Sequence, residues 1–386
     1  MLDALGRGLG FALLFLAAGG CVFALIAVAV VRRFVDNSAA PAGGAPGITI
    51  LKPLRGAEAA LHHQLKTFCD QDYPGPVQIL FGVQDAQDPA IAVVERLIAE
   101  RPGRDLQLVV TTHPAGPNPK VATLVGLQGA IRHEIIVLSD SDVAVGRDYL
   151  ARLVTALAQP GVGLVTCLFR SVPVAGLWAR LASMGPDYHF LPDVLVGLAL
   201  GLARPCFGST MAMRRETLAR IGGFEAFLGQ LADDYAIGEA VRGIGLQVAI
   251  PGWTVAHACP EKTAAELWRH ELRWARTLRA ISPWGYLGKG FANPLPLALL
   301  GAWLSGFGAI GVGCIVAALA CRLVLQRQVD HTLRVSTSRW WLGPARDLLA
   351  FAVYAASYFV DVVSWRGRRY KVRADGTLVP IVEPNA

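Results

Sequence analysis

The sequence is short of charge. Only 17% of its 386 residues are charged while 53% are hydrophobic, a balance that excludes a purely soluble enzyme and puts part of the chain in lipid. Its seven cysteines, Cys21, Cys69, Cys167, Cys206, Cys259, Cys314 and Cys321, form no CxxC pair, which argues against a zinc cage and a disulfide framework. No glycine-rich dinucleotide fingerprint and no GxxxxGK loop occurs, so neither a nicotinamide fold nor a P-loop NTPase fits. Long basic runs interleaved with aromatics are also missing. The formal charge of +7 gathers beside apolar segments and on one helix, which suits a bilayer surface or an anionic substrate and excludes nucleic acid as a partner.

What is abundant is apolar sequence. Residues 9–31, "LGFALLFLAAGGCVFALIAVAVV", carry no charge and are followed by Arg32 and Arg33, so residues 1–33 read as an anchoring helix with its downstream end in the cytoplasm. A cleaved signal is the competing reading, but the run is too long for a signal core. Residues 34–47 form a small-residue, proline-containing linker. Residues 291–366 are lipidic again. The 294–325 stretch exceeds one span and "SGFG" can break it into a hairpin, while 347–365 reads as a further crossing. Two or three spans are open, with two, or one plus a re-entrant piece, favoured by the basic cytoplasmic tail at 367–386.

Between these lies a polar domain, residues 48–262. "ITILKPL", "VQILFGVQD", "LQLVVTT" and "IIVLSDSD" read as strands, alternating with the helical segments "DPAIAVVERLIAE", "PKVATLVGLQGAIR" and "RDYLARLVTALAQ". The expected fold is α/β with a mostly parallel sheet, whose ligands bind at the carboxyl ends of the strands. Ionic residues gather there: Lys52 and Arg55 after one strand, Asp85 after another, Asp140 and Asp142 after a third.

Asp140-Ser141-Asp142 places two carboxylates on one side of an extended segment, where both reach one hard cation such as Mg²⁺ or Mn²⁺ together with diphosphate oxygens. Asp and Ser before a helix also serve as ordinary caps. "LADDY" starts a helix with Asp233 and Asp234, which either complement the helix dipole or supply a general base. Residues 263–290 form a helical segment with Arg269, Arg273, Arg276 and Arg279 at spacings of three and four, beside Leu267, Trp274, Leu278 and Ile281. That pattern lies naturally on a membrane surface with its arginines toward headgroups, and leaves Arg273 and Trp274 able to meet a diphosphate or an acceptor. Asp187 and His189 in "MGPDYHF" are structural residues or acceptor contacts.

In order, "LKPLRG", "GVQDAQDPA", "PNPKVATL", "SDSD", "LADDY" and "HELRW" resemble the membrane-bound family 2 and 21 glycosyltransferases similar to ceramide glucosyltransferase. The resemblance implies a GT-A fold, with transmembrane helices at both ends, and inverting transfer from a UDP-sugar to a lipid hydroxyl on the cytoplasmic face of a bacterial inner membrane. It further implies that Asp85 holds the uridine part, that Asp140 and Asp142 hold the metal and diphosphate, and that Asp234 is the base. Lys52, Pro53, Lys120, Arg273 and Trp274 then face the donor. His270 stands where the family usually shows Gln or Arg, and Asp233 where the ceramide enzymes usually show Glu. The phrases "VGLVTCLFR" and "RHELRWARTLRA" look most like hopanoid-biosynthesis enzymes, implying N-acetylglucosamine and bacteriohopanetetrol. Glucose transfer to ceramide, a processive polysaccharide synthase and a non-catalytic membrane scaffold are the alternatives. Oligomeric state is not legible.

Overall fold

The computed structural model describes all residues except 1, 35–43, 59, 112–116, 175, 336–338, 361, 366–367, 373–377 and 382–386. Most of the expected linker and part of the basic tail therefore lie outside the described residues.

The apolar N-terminal run is the helix α1 (Leu2–Arg33). The polar domain then begins with β1 (Ile48–Pro53), α2 (Leu61–Cys69), β2 (Val77–Val83), α3 (Ala90–Glu100), β3 (Asp105–Val110), α4 (Pro119–Gln128) and β4 (Ile135–Leu138). These four strands pair in parallel in the order β3-β2-β1-β4, as their alternation with helices requires. Both faces are covered. Ile48, Ile50, Ile135 and Val137 enter one apolar cluster, and Leu51, Ile136 and Leu138 the other. Each such fully buried side chain contributes about 1.5–3 kcal/mol, which is why the strands read as continuous apolar runs rather than alternating ones.

The second half departs from the simple rhythm. After β5 (Val143–Ala144) and α5 (Tyr149–Leu157), β6 (Val162–Thr166) leads into β7 (Leu168–Pro173), α6 (Gly176–Gly185), a π-helical turn (Pro186–Phe190) and α7 (Leu191–Ala199). Then β8 (Met211–Arg214), followed by α8 (Arg215–Arg220), inserts antiparallel between β4 and β6. Finally α9 (Asp233–Gly243) precedes β9 (Gln247–Ala249) at the sheet edge, beside β6. A small sheet of β5, β7 and β10 (Thr254–Cys259) sets His257 opposite Val143, next to the Asp140–Asp142 turn.

α10 (Ala264–Ile281) is N-capped by Thr263, whose hydroxyl accepts from the Glu266 N–H at 3.2 Å. It continues into α11 (Pro283–Gly288), α12 (Pro294–Ser305), α13 (Ala309–Leu333) and α14 (Gly343–Ala356). The expected break falls in place: Gly306 caps α12 at φ +87°, a left-handed conformation that glycine adopts without strain. α1 and α13 are long and apolar enough to cross a membrane. α12, with 12 residues, reaches about 18 Å and falls short of a hydrocarbon core. The crossing expected over 347–365 is not a single helix. α14 stops at Ala356, and β11 (Val362–Trp365) pairs with β12 (Arg368–Val372), which pairs with β13 (Leu378–Pro380). The β-branched pair Val362-Val363 favours a strand once a partner lies next to it.

The arginines of α10 also differ from a simple surface stripe. Arg276 is buried, and it and Arg279 both donate to the carbonyl of Ser357, at 3.2 and 2.7 Å. Ser357 is the C-cap of α14, so the two cations sit at the negative end of a helix rather than facing headgroups.

Candidate active site

Four elements meet at the carboxyl edge of the sheet. Asn118 caps α4, its Oδ1 accepting from the N–H groups of Lys120 and Val121 at 3.0 and 3.2 Å, with Pro119 at the first helical position. This turns the Lys120 side chain inward, where Nζ lies 2.8 Å from Asp140 Oδ1 and 3.0 Å from Asp233 Oδ2. Asn118 also donates to Asp233 at 3.2 Å and to the Gln230 carbonyl at 2.8 Å. Burial alone would lower the Lys120 ammonium, but Asp140, Asp233 and Asp234 outweigh it and hold it above lysine's usual range.

Lys52 is fully buried and donates to the Asp140 carbonyl at 2.6 Å and to Ser139 at 3.3 Å, over the Phe68 ring. Burial brings its pKa down to about 7 against the pull of Asp140 and Asp142. It braces the Asp140–Asp142 turn from within the domain, and Pro53 closes the same buried strand. Asp85 is exposed at the end of β2 and accepts from the Gln87 N–H at 2.9 Å. It stands on the rim, two strands from β4.

Gly208 joins the two acidic pairs through its backbone. Its N–H donates to Asp234 Oδ2 at 2.9 Å, and its carbonyl accepts from the Asp140 N–H at 3.2 Å. Asp234 Oδ1 accepts from the Tyr235 N–H at 2.8 Å. Asp233 is buried in its ion pair, whereas Asp234 is half-exposed. Burial and the neighbouring Asp233 charge push Asp234 up to about 6, a value suited to taking a proton near neutral pH. A Cβ at 208 would lie 2.7 Å from Asp140 Oδ2 and 2.9 Å from Lys120 Nζ. Gly208→Ala should therefore displace the carboxylate and lower kcat about 100-fold, with the melting temperature nearly unchanged; steady-state kinetics alongside thermal unfolding checks both.

Asp142 is turned by a residue with no local sequence signal, His257. Its Nε2 lies 3.2 Å from Asp142 Oδ2, and its ring packs against Phe169 and Trp274. Burial would raise the Asp142 carboxyl, yet the His257 charge and hydrogen bond hold it below the carboxylate range, while Asp142 raises His257. Asp142 Oδ1 remains buried without a hydrogen-bond partner. One orphaned carboxylate oxygen beside Asp140 fits a Mg²⁺ or Mn²⁺ ion that takes its other ligands from water and a diphosphate. Among the described residues no cluster of three or more His, Cys, Asp or Glu forms a complete cage.

Beyond His257 opens a mostly apolar chamber between the π turn, α10, α11 and α14, lined among others by Phe190, His257, Glu261, His270, Trp274 and Tyr354. His270 pairs through Nδ1 with Glu261 and meets Trp274 edge-on, with ring centroids 5.0 Å apart. Arg273 is half-buried on the same turn. His189 also lines the chamber but is bound to the far side, with Asp347 Oδ1 at 3.2 Å and Arg322 Nη2 at 3.0 Å from its Nε2. Burial and the Arg322 charge bring it down to about 3, so it is neutral. Asp187 accepts from the Ser171 N–H at 2.7 Å and ties the π turn to β7. The structure thus gathers Lys52, Lys120, Asp140, Asp142, Asp233 and Asp234, links Trp274 and His270 through His257, and leaves Asp85 at the rim.

The profile for glycosyl transferase family 21 matches residues 12–378. Ceramide glucosyltransferase 1 of Caenorhabditis elegans is 23% identical over 96% of this chain and 82% of its own length. The ceramide glucosyltransferase of Komagataella phaffii is 36% identical over 33% of this chain and 28% of its own. Among solved structures, a mannosyltransferase from Pyrobaculum calidifontis, in complex with GDP-mannose and Mn²⁺, aligns at TM-score 0.53 with 20% identity, covering 92% of this chain and 99% of that one. This likeness supports the GT-A fold.

Proposed function

The chain belongs to glycosyl transferase family 21, and from that premise we propose that it transfers one hexose from a UDP-sugar to the hydroxyl of a membrane lipid, with inversion at the anomeric carbon. The observation that carries this reading is the Gly208 bridge, which sets a half-exposed carboxylate with a raised pKa beside an acidic, lysine-braced diphosphate site. Four carboxylates gather there against two lysines and His257, so an anionic diphosphate needs a divalent cation to be drawn in. Bound at Asp140 and Asp142, that cation would neutralise charge on the diphosphate.

The protein's own residues divide the remaining work. Lys120 holds Asp140 and Asp233 in place, and His257 turns Asp142 so that Oδ1 stays available. Asp85, on the rim, is placed to meet the nucleoside. Asp234 takes the proton from the acceptor hydroxyl as it attacks opposite the leaving diphosphate. Trp274 stands between the donor side and the chamber, tilted against His257 and edge-on to His270, and the lipid head group enters through that chamber. The catalytic domain then faces the cytoplasm, with α1 and the hairpin of α12 and α13 in the bilayer and Arg32 and Arg33 at the inner surface. α13 thereby returns to the side where Arg322 and Arg346 meet the domain.

The relatives named above act, by their names, on ceramide with glucose, which favours that pair over N-acetylglucosamine and a hopanoid polyol. The longer phrases around "VGLVTCLFR" favour the second pair. A polymer synthase would need a channel of many helices, whereas among the described residues two are long enough to cross. Purified protein in nanodiscs, given UDP-glucose or UDP-N-acetylglucosamine with ceramide or bacteriohopanetetrol, should yield a lipid carrying a single sugar, and EDTA should stop it. Mass spectrometry showing polymer, or no glycolipid from any pairing, would sink this reading.

A further inference from the structure

The chamber contains a carboxylate that the transfer step does not use. Glu261 follows β10 directly, after His257 and Cys259, and all three line the cavity. Its side chain is only 5% exposed; Oε1 meets His270 Nδ1, while Oε2 is buried without a hydrogen-bond partner. Across the same cavity Arg346, equally buried, gives Nη1 to Glu271 and leaves Nε without a partner. A mostly apolar chamber thus presents, beside polar groups that are paired, one unsatisfied acceptor and one unsatisfied donor. A buried polar atom left unpaired is costly, so such a pair is complementary to a ligand carrying both senses of hydrogen bond.

We infer that Glu261 reads the lipid head group, accepting a hydrogen bond from an N–H or O–H next to the reacting hydroxyl, with Arg346 donating to a neighbouring oxygen. The acceptor class is therefore a lipid whose reacting hydroxyl lies beside a second hydrogen-bond donor. A 2-amido alcohol supplies an amide N–H and carbonyl; a vicinal diol supplies hydroxyls for both. Glu261 is a specificity-determining residue and takes no part in proton transfer. A simple lipid alcohol would leave Oε2 unpaired, which is how a site built on a hydrogen bond rejects an analogue lacking it. This inference rests on the lipid-acceptor reading above.

The test uses the full chain in nanodiscs with four acceptors: a short-chain ceramide, its N-methyl amide, a polyol hopanoid and its mono-O-methyl ether. The wild type should turn over the parent lipid at least about 30-fold better in kcat/KM than the blocked analogue. Which parent works identifies whether an amide or a diol is the natural donor group. In Glu261→Leu that ratio should collapse toward about 1, because the parent loses its advantage while the analogue does not. Glu261→Gln, which keeps an acceptor oxygen, should preserve most of the ratio. Calorimetry with UDP and Mn²⁺ should show donor binding unchanged in both variants. A wild-type ratio near 1, a Glu261→Leu ratio equal to wild type, or loss of UDP binding in Glu261→Gln would overturn the inference while leaving lipid glycosylation standing. No turnover by the wild type on either parent would overturn the transfer reading and this inference with it.

Discussion

Asp234→Asn should lower kcat by about 10³-fold or more, within the range for removing a general base, while UDP and Mn²⁺ bind as before. The expectation comes from geometry: Asp234 accepts from the N–H groups of Gly208 and Tyr235 through its two separate oxygens, and an asparagine keeps an oxygen for one of these bonds while its NH₂ cannot accept the other. The dominant loss is proton uptake. The wild-type pH profile carries the second half of the prediction. With Asp234 pushed up to about 6 by burial and Asp233, the base is protonated in acid, so kcat/KM should fall about tenfold per pH unit below that point and level off above pH 7. A variant that keeps wild-type kcat would remove Asp234 from the proton transfer.

Lys120→Met should be the most destabilising single change at the site. Its ammonium is the shared partner of Asp140 and Asp233, and removing one member of a buried pair costs about 3–5 kcal/mol because the other charge stays buried. For a domain of this size that is a fall of roughly 10 °C in unfolding temperature. The variant's unpaired carboxylates acquire raised folded pKa values, so the deficit should shrink on acidification, when they are protonated, and grow toward pH 8. Adding Asp233→Asn should recover part of the loss. Thermal unfolding of both variants at pH 5 and pH 8 decides it, and an unfolding temperature equal to wild type at both would mean that the lysine is no structural keystone.

Much of this was legible in the residues. The four parallel strands are apolar runs, three of them with ionic tips, and their order along the chain matches the βαβ rhythm. The hairpin at Gly306 follows from three small or turn-forming residues, Ser305, Gly306 and Gly308, in an apolar stretch too long for one span. Asn118 could have been found from its place before Pro-Lys at a helix start, since Asn caps and Pro follows. His257 and Gly208 could not. Asp142 meets its histidine 115 positions away across a small sheet, and the two acidic pairs meet through a glycine whose importance is a close approach rather than a pattern. The antiparallel insertion of β8 hides for the same reason: strand direction is set by pairing, which periodicity does not encode. At the C-terminus, average hydropathy treats a buried helix and a β-branched strand as one crossing, and only the partners of Asp347, Ser357 and Val362 separate them.

The π turn that walls the chamber is held by residues that follow it far along the chain. Tyr188 donates to Asp330, 142 positions later, and Arg322 gives Nη2 to the Tyr188 carbonyl and to His189, 134 and 133 positions later. At ribosomal speeds that separation is on the order of ten seconds. Throughout that interval the sheet and its carboxylates can form, yet the cavity lacks one wall and the clamp on its turn. The order of synthesis therefore acts as a timer: the donor side is ready first, and the lipid side closes only when α13 and α14 have been made and have docked.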